Sequence, residues 1–318
     1  MAADPHQNLF RRAPGIEASV TYSILITGGT GQIGTELLKR APSDFEIVAP
    51  ERSVLDLAST DALREAIVSR RWAAVINSGA YTAVDMAQSE RDLAWRINAL
   101  APAVLAQATE KAKIPIIQLS TDYVFDGTKT SPYLPEDTIS PVSVYGASKA
   151  GGELAIRTGN PNHVILRTAW VLSAHGNNFV KTMLKLAENR DRIGVVDDQT
   201  GNPTSAADVA EALITIVRSI ITDPKSPSGT HHFVNSGDAT WCELAREVFA
   251  LAEDRGRPAP QVDPITTADY PTAATRPTNS RLDTGSLTRT FGLRPRDWKT
   301  ALAEIVEDLV PAKYQGGA

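Results

Sequence analysis

The chain has 318 residues, of which 42% are hydrophobic and 22% charged, and its formal net charge is −5. This composition is typical of a globular protein, and the negative charge argues against a general nucleic-acid-binding or membrane-surface protein. The single cysteine, Cys242, excludes an internal disulfide and favours a cytoplasmic location. No apolar run approaches the ~20 residues of a membrane-spanning helix.

Short β-rich segments alternate with helical ones from Tyr22 onward, after a polar extension of residues 1–21 that we expect to be mobile. Strands are predicted in SILIT, FEIVAP, AAVINSG, IPIIQLS and HVILRTAWVL, and helices at 60–70, 90–112 and 143–158. Near-continuous apolar strands between helices indicate a parallel sheet covered on both faces. The predicted fold class is therefore α/β, a Rossmann-type doubly wound parallel sheet with a smaller C-terminal substrate-binding domain.

Proline and glycine become frequent after residue 199, which predicts a second, less regular part of the chain. We expect residues 22–172 to form the dinucleotide-binding domain, to which a later strand near 230–235 returns. Residues 173–229 and 236–312 are expected to form the substrate-binding part.

The first predicted strand ends in TGGTGQIG, where Gly28, Gly31 and Gly34 stand between the strand and a helix. Glycines at this point let the backbone turn tightly and approach a pyrophosphate, which the helix N-terminus then faces. This context predicts a dinucleotide site that also includes Thr30, Gln32 and Ile33. The alternative is a purely structural turn.

The end of the second strand leaves the choice of dinucleotide open. Glu51 favours NAD because an acid there accepts hydrogen bonds from the ribose 2′-hydroxyl, whereas Arg52 suits the 2′-phosphate of NADP. Asp56 and Leu57 are candidates for the adenine edge, although a turn or helix-capping role suits Asp56 equally well. Both NADPH and NADH are therefore expected as cofactors.

In YGASK, Tyr145 and Lys149 are one helical turn apart, so both side chains lie on the same helix face. A protonated lysine at that spacing favours the phenolate and would lower the pKa of the tyrosine. The pair is either a proton-transfer device or an ordinary solvated helix face, and the spacing alone does not separate the two.

These motifs together resemble the extended short-chain dehydrogenase/reductase family. The resemblance rests on the glycine loop, NSGAYTAVDMAQSE, RINALAPAVLA, STDYVFDG, YxxxK, RTAWVL, GNNFVKTML, DDQTGNPT and RPTNSRLD, in this order. It covers residues 22 to about 310. Within the family, the motifs are similar to those of enzymes that reduce the C4 keto group of dTDP-4-dehydro-β-L-rhamnose to give dTDP-L-rhamnose, the last step of dTDP-rhamnose synthesis.

The resemblance implies a catalytic group of Thr121, Tyr145 and Lys149, in which Tyr145 gives a proton and Thr121 polarises the keto group. It implies further dinucleotide contacts at Ala80, Tyr81 and Asn98, of which Asn98 is equally well explained as a polar contact within a helix. The implied substrate residues are Thr82, Thr121, Val124, Tyr145, Trp170, Asn178, Gln199 and Arg276. Plain core packing remains open for Trp170, and a surface salt bridge remains open for Arg276.

Some members of the family form homodimers around Mg²⁺ held by acidic side chains. Glu36 and Asp308 stand at positions of that kind, whereas Ala207 occupies a third, so the set of metal ligands is incomplete. Two other functions remain open: another nucleotide-sugar reductase or epimerase of this family, and a non-catalytic dinucleotide-binding regulatory subunit. Intact Thr121, Tyr145 and Lys149 argue against the regulatory subunit.

Overall fold

The structure, a computed structural model, describes residues 21–223 and 226–311. The predicted extension therefore lies outside the described residues, apart from Thr21. The strands are β1 (Tyr22–Thr27), β2 (Phe45–Val48), β3 (Ala74–Asn77), β4 (Ile116–Thr121), β5 (His163–Thr168), β6 (Val171–Leu172), β7 (Arg192–Val196), β8 (Thr200–Gly201), β9 (Thr204–Ser205), β10 (Gly229–His232), β11 (Ala239–Thr240) and β12 (Gln261–Ile265).

Helices follow most of these strands, and the predicted helical segments are confirmed to within a few residues. They are α1 (Gln32–Arg40), α2 (Thr60–Val68), α3 (Arg91–Trp95), α4 (Ala101–Ala112), α5 (Val144–Gly159), α6 (Phe179–Ala187), α7 (Ala206–Thr222), α8 (Trp241–Glu253), α9 (Gly285–Phe291) and α10 (Trp298–Leu309). A π-helical turn, Arg96–Leu100, joins α3 to α4. In the described part of the chain, no helix is both long and apolar enough to cross a membrane.

The described residues form a six-stranded sheet in the order β2-β1-β3-β4-β5-β10. All its neighbouring strands are parallel, and β1 pairs through Leu25 with Val48 of β2 on one side and Val75 of β3 on the other. The chain reverses its direction of travel across the sheet between β1 and β3. In open α/β sheets, ligands bind beyond the carboxyl ends of the strands at such a switch point.

Alternate residues of each central strand point to opposite faces of the sheet, and each face is covered by its own helices. Ile24 and Ile26 pack with Leu37 of α1 and Leu213 of α7, whereas Leu25 packs on the other face with residues of α2 and α4. The predicted α/β class with a covered parallel sheet is confirmed.

The C-terminal part has a separate hydrophobic cluster, built from α6, α8, α10 and the parallel pair β7 and β12. Its other strand pairs, β8 with β11 and β6 with β9, have two residues in each strand. Each pair adds few ladder hydrogen bonds, so this part depends on side-chain packing and on bonds between distant segments.

Two predicted segments differ from the structure. The predicted strand HVILRTAWVL is split into β5 and β6 because Trp170 adopts a left-handed backbone with φ of 46°. Helix α7 falls in the range assigned to the substrate-binding part, yet its buried stripe, including Val209 and Ile216, packs on the central sheet. The remaining boundaries between the two parts stay a prediction.

Candidate active site

The glycine loop lies at the switch point, where the ends of β1 and β3 meet. Gly28 has φ of 71°, and a Cβ on it would lie 2.6 Å from the backbone nitrogen of Gly79. A Cβ on Gly34 would lie 2.4 Å from the carbonyl oxygen of Gly28. Because α1 begins at Gln32 without a side-chain cap, its first N–H groups remain available to an anion.

A cleft of about 520 Å³ opens beyond the carboxyl ends of the central strands. This switch-point cleft brings together most of the predicted dinucleotide residues: Gly28, Thr30, Gly31, Gln32, Ile33, Gly34, Arg52, Asp56, Leu57, Ala80, Tyr145 and Lys149. It is also lined by Thr82, which was predicted for the substrate, and by Ser78, Gly79 and Thr168, which sequence reasoning missed. The small residues of INSGAY directly after β3 were the signal for Ser78 and Gly79.

Glu51 and Arg52 left the choice between NAD and NADP undecided, and the structure places them differently relative to the cleft. Arg52 lines the cleft, and its Nε lies 3.8 Å from Oδ1 of Asp56, which also accepts a hydrogen bond from the backbone of Ala58. Glu51 does not line the cleft; its carbonyl oxygen accepts the turn hydrogen bonds from Val54 and Leu55. The geometry brings the arginine rather than the glutamate to the cleft wall.

Tyr81 and Asn98 lie outside the cleft wall and bind each other. Oδ1 of Asn98 accepts from the backbone N–H of Tyr81 at 2.8 Å, and Nδ2 donates to the carbonyl of the same residue at 3.0 Å. Nδ2 also lies 3.0 Å from Oγ of Ser148, which donates to the carbonyl of Tyr145. Asn98, in the π-helical turn, therefore connects the loop after β3 to α5, and the predicted dinucleotide contact remains a prediction.

Tyr145 and Lys149 lie in the first two turns of α5, which Ser143 caps by accepting from the backbone of Gly146. Lys149 is buried, and its Nζ donates to the carbonyl of Leu119 on β4 at 2.7 Å. Thr121, the last residue of β4, is also buried, and its hydroxyl donates to Oδ1 of Asp122 at 2.9 Å. The end of β4 thus provides Thr121, which contacts Tyr145, and the carbonyl of Leu119, which binds Lys149.

The pKa of Tyr145 moves in the opposite direction to the one expected from its spacing to Lys149. Burial raises the pKa of Tyr145 to about 12, although a hydrogen bond with the Thr121 side chain acts against it. Burial lowers the pKa of Lys149 to about 8, and the negative charge of Glu153 acts against that decrease. The expectation of a lowered tyrosine pKa was wrong because desolvation by burial outweighs the opposing hydrogen bond with Thr121. Tyr145 therefore keeps its proton at neutral pH.

A buried carboxylate network lies directly behind Lys149. Glu153 follows one turn later on α5 and is fully buried, and it accepts from Ser120 at 2.5 Å. Arg167 of β5 donates to both of its oxygens at 2.8 and 2.7 Å. Sequence reasoning missed this group, although the repeat of Tyr145, Lys149 and Glu153 at four-residue steps was the available signal.

Asp122 is a second buried acid that sequence reasoning did not assign. Burial raises its pKa to about 6, although the side chains of Ser280 and Thr121 act in the opposite direction. Among the described residues, its Oδ2 has no hydrogen-bond partner. The ring of the next residue, Tyr123, meets that of Tyr145 edge to face with centroids 5.4 Å apart.

Trp170 stands in the break between β5 and β6, beyond the carboxyl end of the sheet. Its ring stacks on Trp241 with centroids 3.6 Å apart, and a Cβ on Gly201 would lie 2.4 Å from it. A left-handed backbone is costly for a bulky residue, so surrounding contacts must hold it. Trp241 in turn donates to Gln199 at 3.2 Å, so the predicted substrate residue Gln199 supports the tryptophan pair.

Asn178 and Val124 have protein partners in the structure. Asn178 caps α6 by accepting from the backbone of Lys181, and its amide donates to Gln32 of the glycine loop at 2.9 Å. Val124 is fully buried in a cluster that includes Phe125. Neither lines the switch-point cleft, and a contact with substrate remains a prediction for both.

Arg276 forms a salt bridge with Asp85, which is the alternative to a substrate contact that the sequence could not exclude. Its Nη2 lies 2.7 Å and its Nη1 3.2 Å from the two carboxylate oxygens of Asp85. The pair joins the loop before α9 to the loop after β3, and the hydrogen bonds from Arg276 hold the pKa of Asp85 below its usual range. A contact with the substrate diphosphate would have to compete with this pair.

Glu36 and Asp308, the two acidic positions considered for magnesium, have different surroundings in the structure. Glu36 accepts from Arg40, and its Oε1 lies 3.3 Å from Nε2 of His175. Asp308 is exposed on α10, and Ala207 offers no ligand at the third position. Within residues 21–223 and 226–311, no group of three or more His, Cys, Asp or Glu side chains is placed to hold a metal.

A family model described as the RmlD substrate binding domain matches residues 22–310. The chain belongs to this family. Among its relatives, the dTDP-4-dehydrorhamnose reductase of Sinorhizobium fredii is 42% identical over 284 residues, which cover 89% of this chain and 96% of that protein.

Two solved structures of the same kind of enzyme superpose closely. The dTDP-4-dehydrorhamnose reductase of Clostridium acetobutylicum has a TM-score of 0.84 and 37% identity, over 90% of this chain and 99% of that one. The reductase of Bacillus anthracis, solved in complex with NADP, has a TM-score of 0.84 and 32% identity, over 90% of this chain and 98% of that one. The resemblance to the extended reductases that the motifs suggested is thus confirmed over the whole described fold.

Proposed function

We propose that this chain is an NAD(P)H-dependent oxidoreductase that reduces the C4 keto group of dTDP-4-dehydro-β-L-rhamnose to give dTDP-L-rhamnose. The observation that carries the proposal is the switch-point cleft, which joins the glycine loop to Tyr145 and Lys149. Two relatives that this chain covers almost completely, and a solved structure of the same fold, are named dTDP-4-dehydrorhamnose reductase.

The residues of the cleft suit a dinucleotide. Gly28 and Gly34 allow the close backbone approach that a pyrophosphate needs, and the uncapped start of α1 provides N–H donors. Arg52, Asp56 and Leu57 would hold the adenosine end, and Lys149 the ribose at the other end. When bound, the reduced nicotinamide supplies a hydride to C4 of the sugar.

Tyr145 would supply the proton that the reduction needs on the C4 oxygen. Its raised pKa, about 12, keeps the phenol protonated, which is the form a general acid requires. Thr121, which contacts Tyr145 through its side chain, would donate to the same oxygen and polarise the carbonyl. Lys149 would hold its position through the carbonyl of Leu119 and stabilise the negative charge that remains on Tyr145.

On the substrate side, Thr82 lines the cleft and would contact the dTDP-sugar. Trp170 would offer its ring beyond the strand ends, backed by Trp241. We propose NADPH as the preferred cofactor, because Arg52 lines the cleft and the relative from Bacillus anthracis was solved with NADP. The cytoplasmic location, the homodimer and a role for Mg²⁺ stay predictions.

The direct test supplies NADPH or NADH together with dTDP-4-dehydro-β-L-rhamnose and follows the loss of reduced-nicotinamide absorbance. NMR of the product should show a C4 hydroxyl with the rhamno configuration. Binding of NADPH without turnover would favour the regulatory subunit. Turnover without net NADPH consumption would favour an epimerase that retains its dinucleotide.

A further inference from the structure

The Thr168 side chain stands out among the buried polar groups. It is 7% exposed, and its hydroxyl has no hydrogen-bond partner within the described residues. Three other buried side-chain atoms in that part of the chain share this property, in Asp122, His231 and His232. Of the four residues, Thr168 is the one that lines the switch-point cleft.

A buried hydroxyl without a partner costs folding free energy, so such groups in folded proteins are nearly always satisfied. Threonine at this position is not required by the sheet, because valine has the same branched shape and suits a strand equally well. A buried hydroxyl that has no partner, on a residue that lines a cleft, is explained if it bonds to what the cleft binds.

The sheet order indicates which part of a dinucleotide would reach Thr168. Arg52 follows β2, the glycine loop follows β1, and Thr168 ends β5, with β3 and β4 between. A dinucleotide whose 2′-phosphate meets Arg52 and whose pyrophosphate meets the glycine loop therefore extends toward β4 and β5 with its nicotinamide end. Thr168 pairs in register with Thr121, so it lies on the side of the cleft where the proposed proton transfer occurs.

We propose that the Thr168 hydroxyl binds the carboxamide of the nicotinamide ring and so fixes which ring face is turned toward the substrate. The carboxamide is the polar substituent of that ring, and a hydroxyl can donate to its oxygen or accept from its nitrogen. This role rests on the proposed function, since it requires a bound dinucleotide. Thr168 is a positioning residue and takes no part in the transfer of the proton.

The test compares Thr168→Val with Thr168→Ser, measuring the Kd of NADPH without substrate by its fluorescence and the Tm of the free protein. We expect Thr168→Val to weaken NADPH binding about 3–10-fold, as for the loss of one hydrogen bond. Its Tm should stay equal or rise because the unpartnered hydroxyl is gone. Thr168→Ser, which keeps the hydroxyl, should bind NADPH nearly as wild type does.

The second probe is 2′-phospho-ADP-ribose, which lacks the nicotinamide ring, and its Kd should be the same for wild type and Thr168→Val. The matched control is Thr204→Val. Thr204 is also fully buried, but its hydroxyl donates to the carbonyl of Asn202 at 2.9 Å and lies outside the cleft. This control should lower the Tm and leave NADPH binding unchanged.

Three outcomes would overturn the inference. Unchanged NADPH affinity in Thr168→Val would mean that the hydroxyl binds no part of the dinucleotide, and equal losses for both probes would place it away from the ring. If the wild-type protein binds neither probe, the proposed function itself fails, and the inference fails with it. Should Thr168→Val not fold, Thr168→Ala removes the same hydroxyl and is measured in its place.

Discussion

The proposed dinucleotide end and the proposed substrate end of this molecule hold their side chains in different ways. At the dinucleotide end, the residues after β1, β2 and β3 meet in one cleft because consecutive parallel strands end at the same sheet edge. At the substrate end, Asn178, Arg276 and Gln199 are bonded to Gln32, Asp85 and Trp241. The place of a residue in the fold can therefore be predicted from sequence when its motif directly follows a strand. Residue type alone does not show whether a side chain contacts a ligand or forms a hydrogen bond within the protein.

The largest expected effect is at the point where the two ends meet. Tyr145→Phe keeps the ring but removes the proposed proton donor, so we expect turnover to fall about 10²–10⁴-fold. NADPH affinity should remain, since the glycine loop and Lys149 are intact. Lys149→Met should lower turnover at least as much. The turnover of the double variant should be no lower than that of the less active single variant, because Tyr145 and Lys149 would act in the same proton transfer. Near wild-type turnover of Tyr145→Phe would return YGASK to an ordinary helix face.

The next test sharpens the description of the dinucleotide end. If Arg52 meets the 2′-phosphate, Arg52→Ala should lower kcat/KM for NADPH about 10-fold, as for a charge-assisted hydrogen bond, and leave that for NADH nearly unchanged. Arg64→Ala is the control, since Arg64 is an exposed arginine that pairs with Asp61 on α2 outside the cleft. Equal losses with both cofactors would show that Arg52 does not reach the phosphate.

Asn178 tests the substrate end. If Asn178 contacts substrate, as the resemblance implies, Asn178→Ala should raise the KM for the sugar nucleotide, whereas the hydrogen bonds in the structure predict a loss of stability. Asn178→Ala removes the cap of α6 and should lower the free energy of unfolding by about 1 kcal/mol. Asn178→Asp keeps the capping oxygen but loses the donor to Gln32, so it should retain more of the stability. A large KM change in Asn178→Ala at an unchanged Tm would restore the prediction from the sequence.

The smallest effect concerns pH. Lys149 should be charged to work, so kcat/KM should fall as pH rises through about 8, the lowered pKa of Lys149. Because the negative charge of Glu153 opposes that lowering, Glu153→Gln should move the alkaline limb to lower pH. Arg157→Gln, which removes an arginine 3.6 Å from Glu153, is the control expected to leave the limb nearly in place. An unmoved limb in folded Glu153→Gln would exclude Lys149 as the titrating group.

The lowered pKa of Lys149 also determines how the stability of the folded protein changes with pH. The folded pKa of Lys149, about 8, lies below its ordinary value of 10.5, so burial of the charged lysine lowers stability below pH 8. That penalty disappears as pH rises from about 8 to 10.5. Lys149→Met should therefore raise the Tm at neutral pH while it removes activity, and urea unfolding at several pH values would measure the difference.

The sequence by itself determined the features that depend on local patterns. The glycine loop, the strands of the central sheet and helices α2, α4 and α5 were predicted because apolar periodicity and glycine geometry act over a few residues. The position of the cleft could be predicted from these features, because the loops that follow parallel strands all lie at the carboxyl edge of the sheet.

Only the tertiary structure decided the features that depend on partners far apart in the chain. The left-handed Trp170 is held by Trp241 and Gly201, and the amide of Asn178 is bonded to Gln32, 146 residues away. The pKa of Tyr145 is raised because the folded chain removes water from it, a desolvation that no spacing of residues reveals. Long-range contacts and burial exist only after folding, and for that reason the sequence named Tyr145 and Lys149 as catalytic candidates but not their electrostatics.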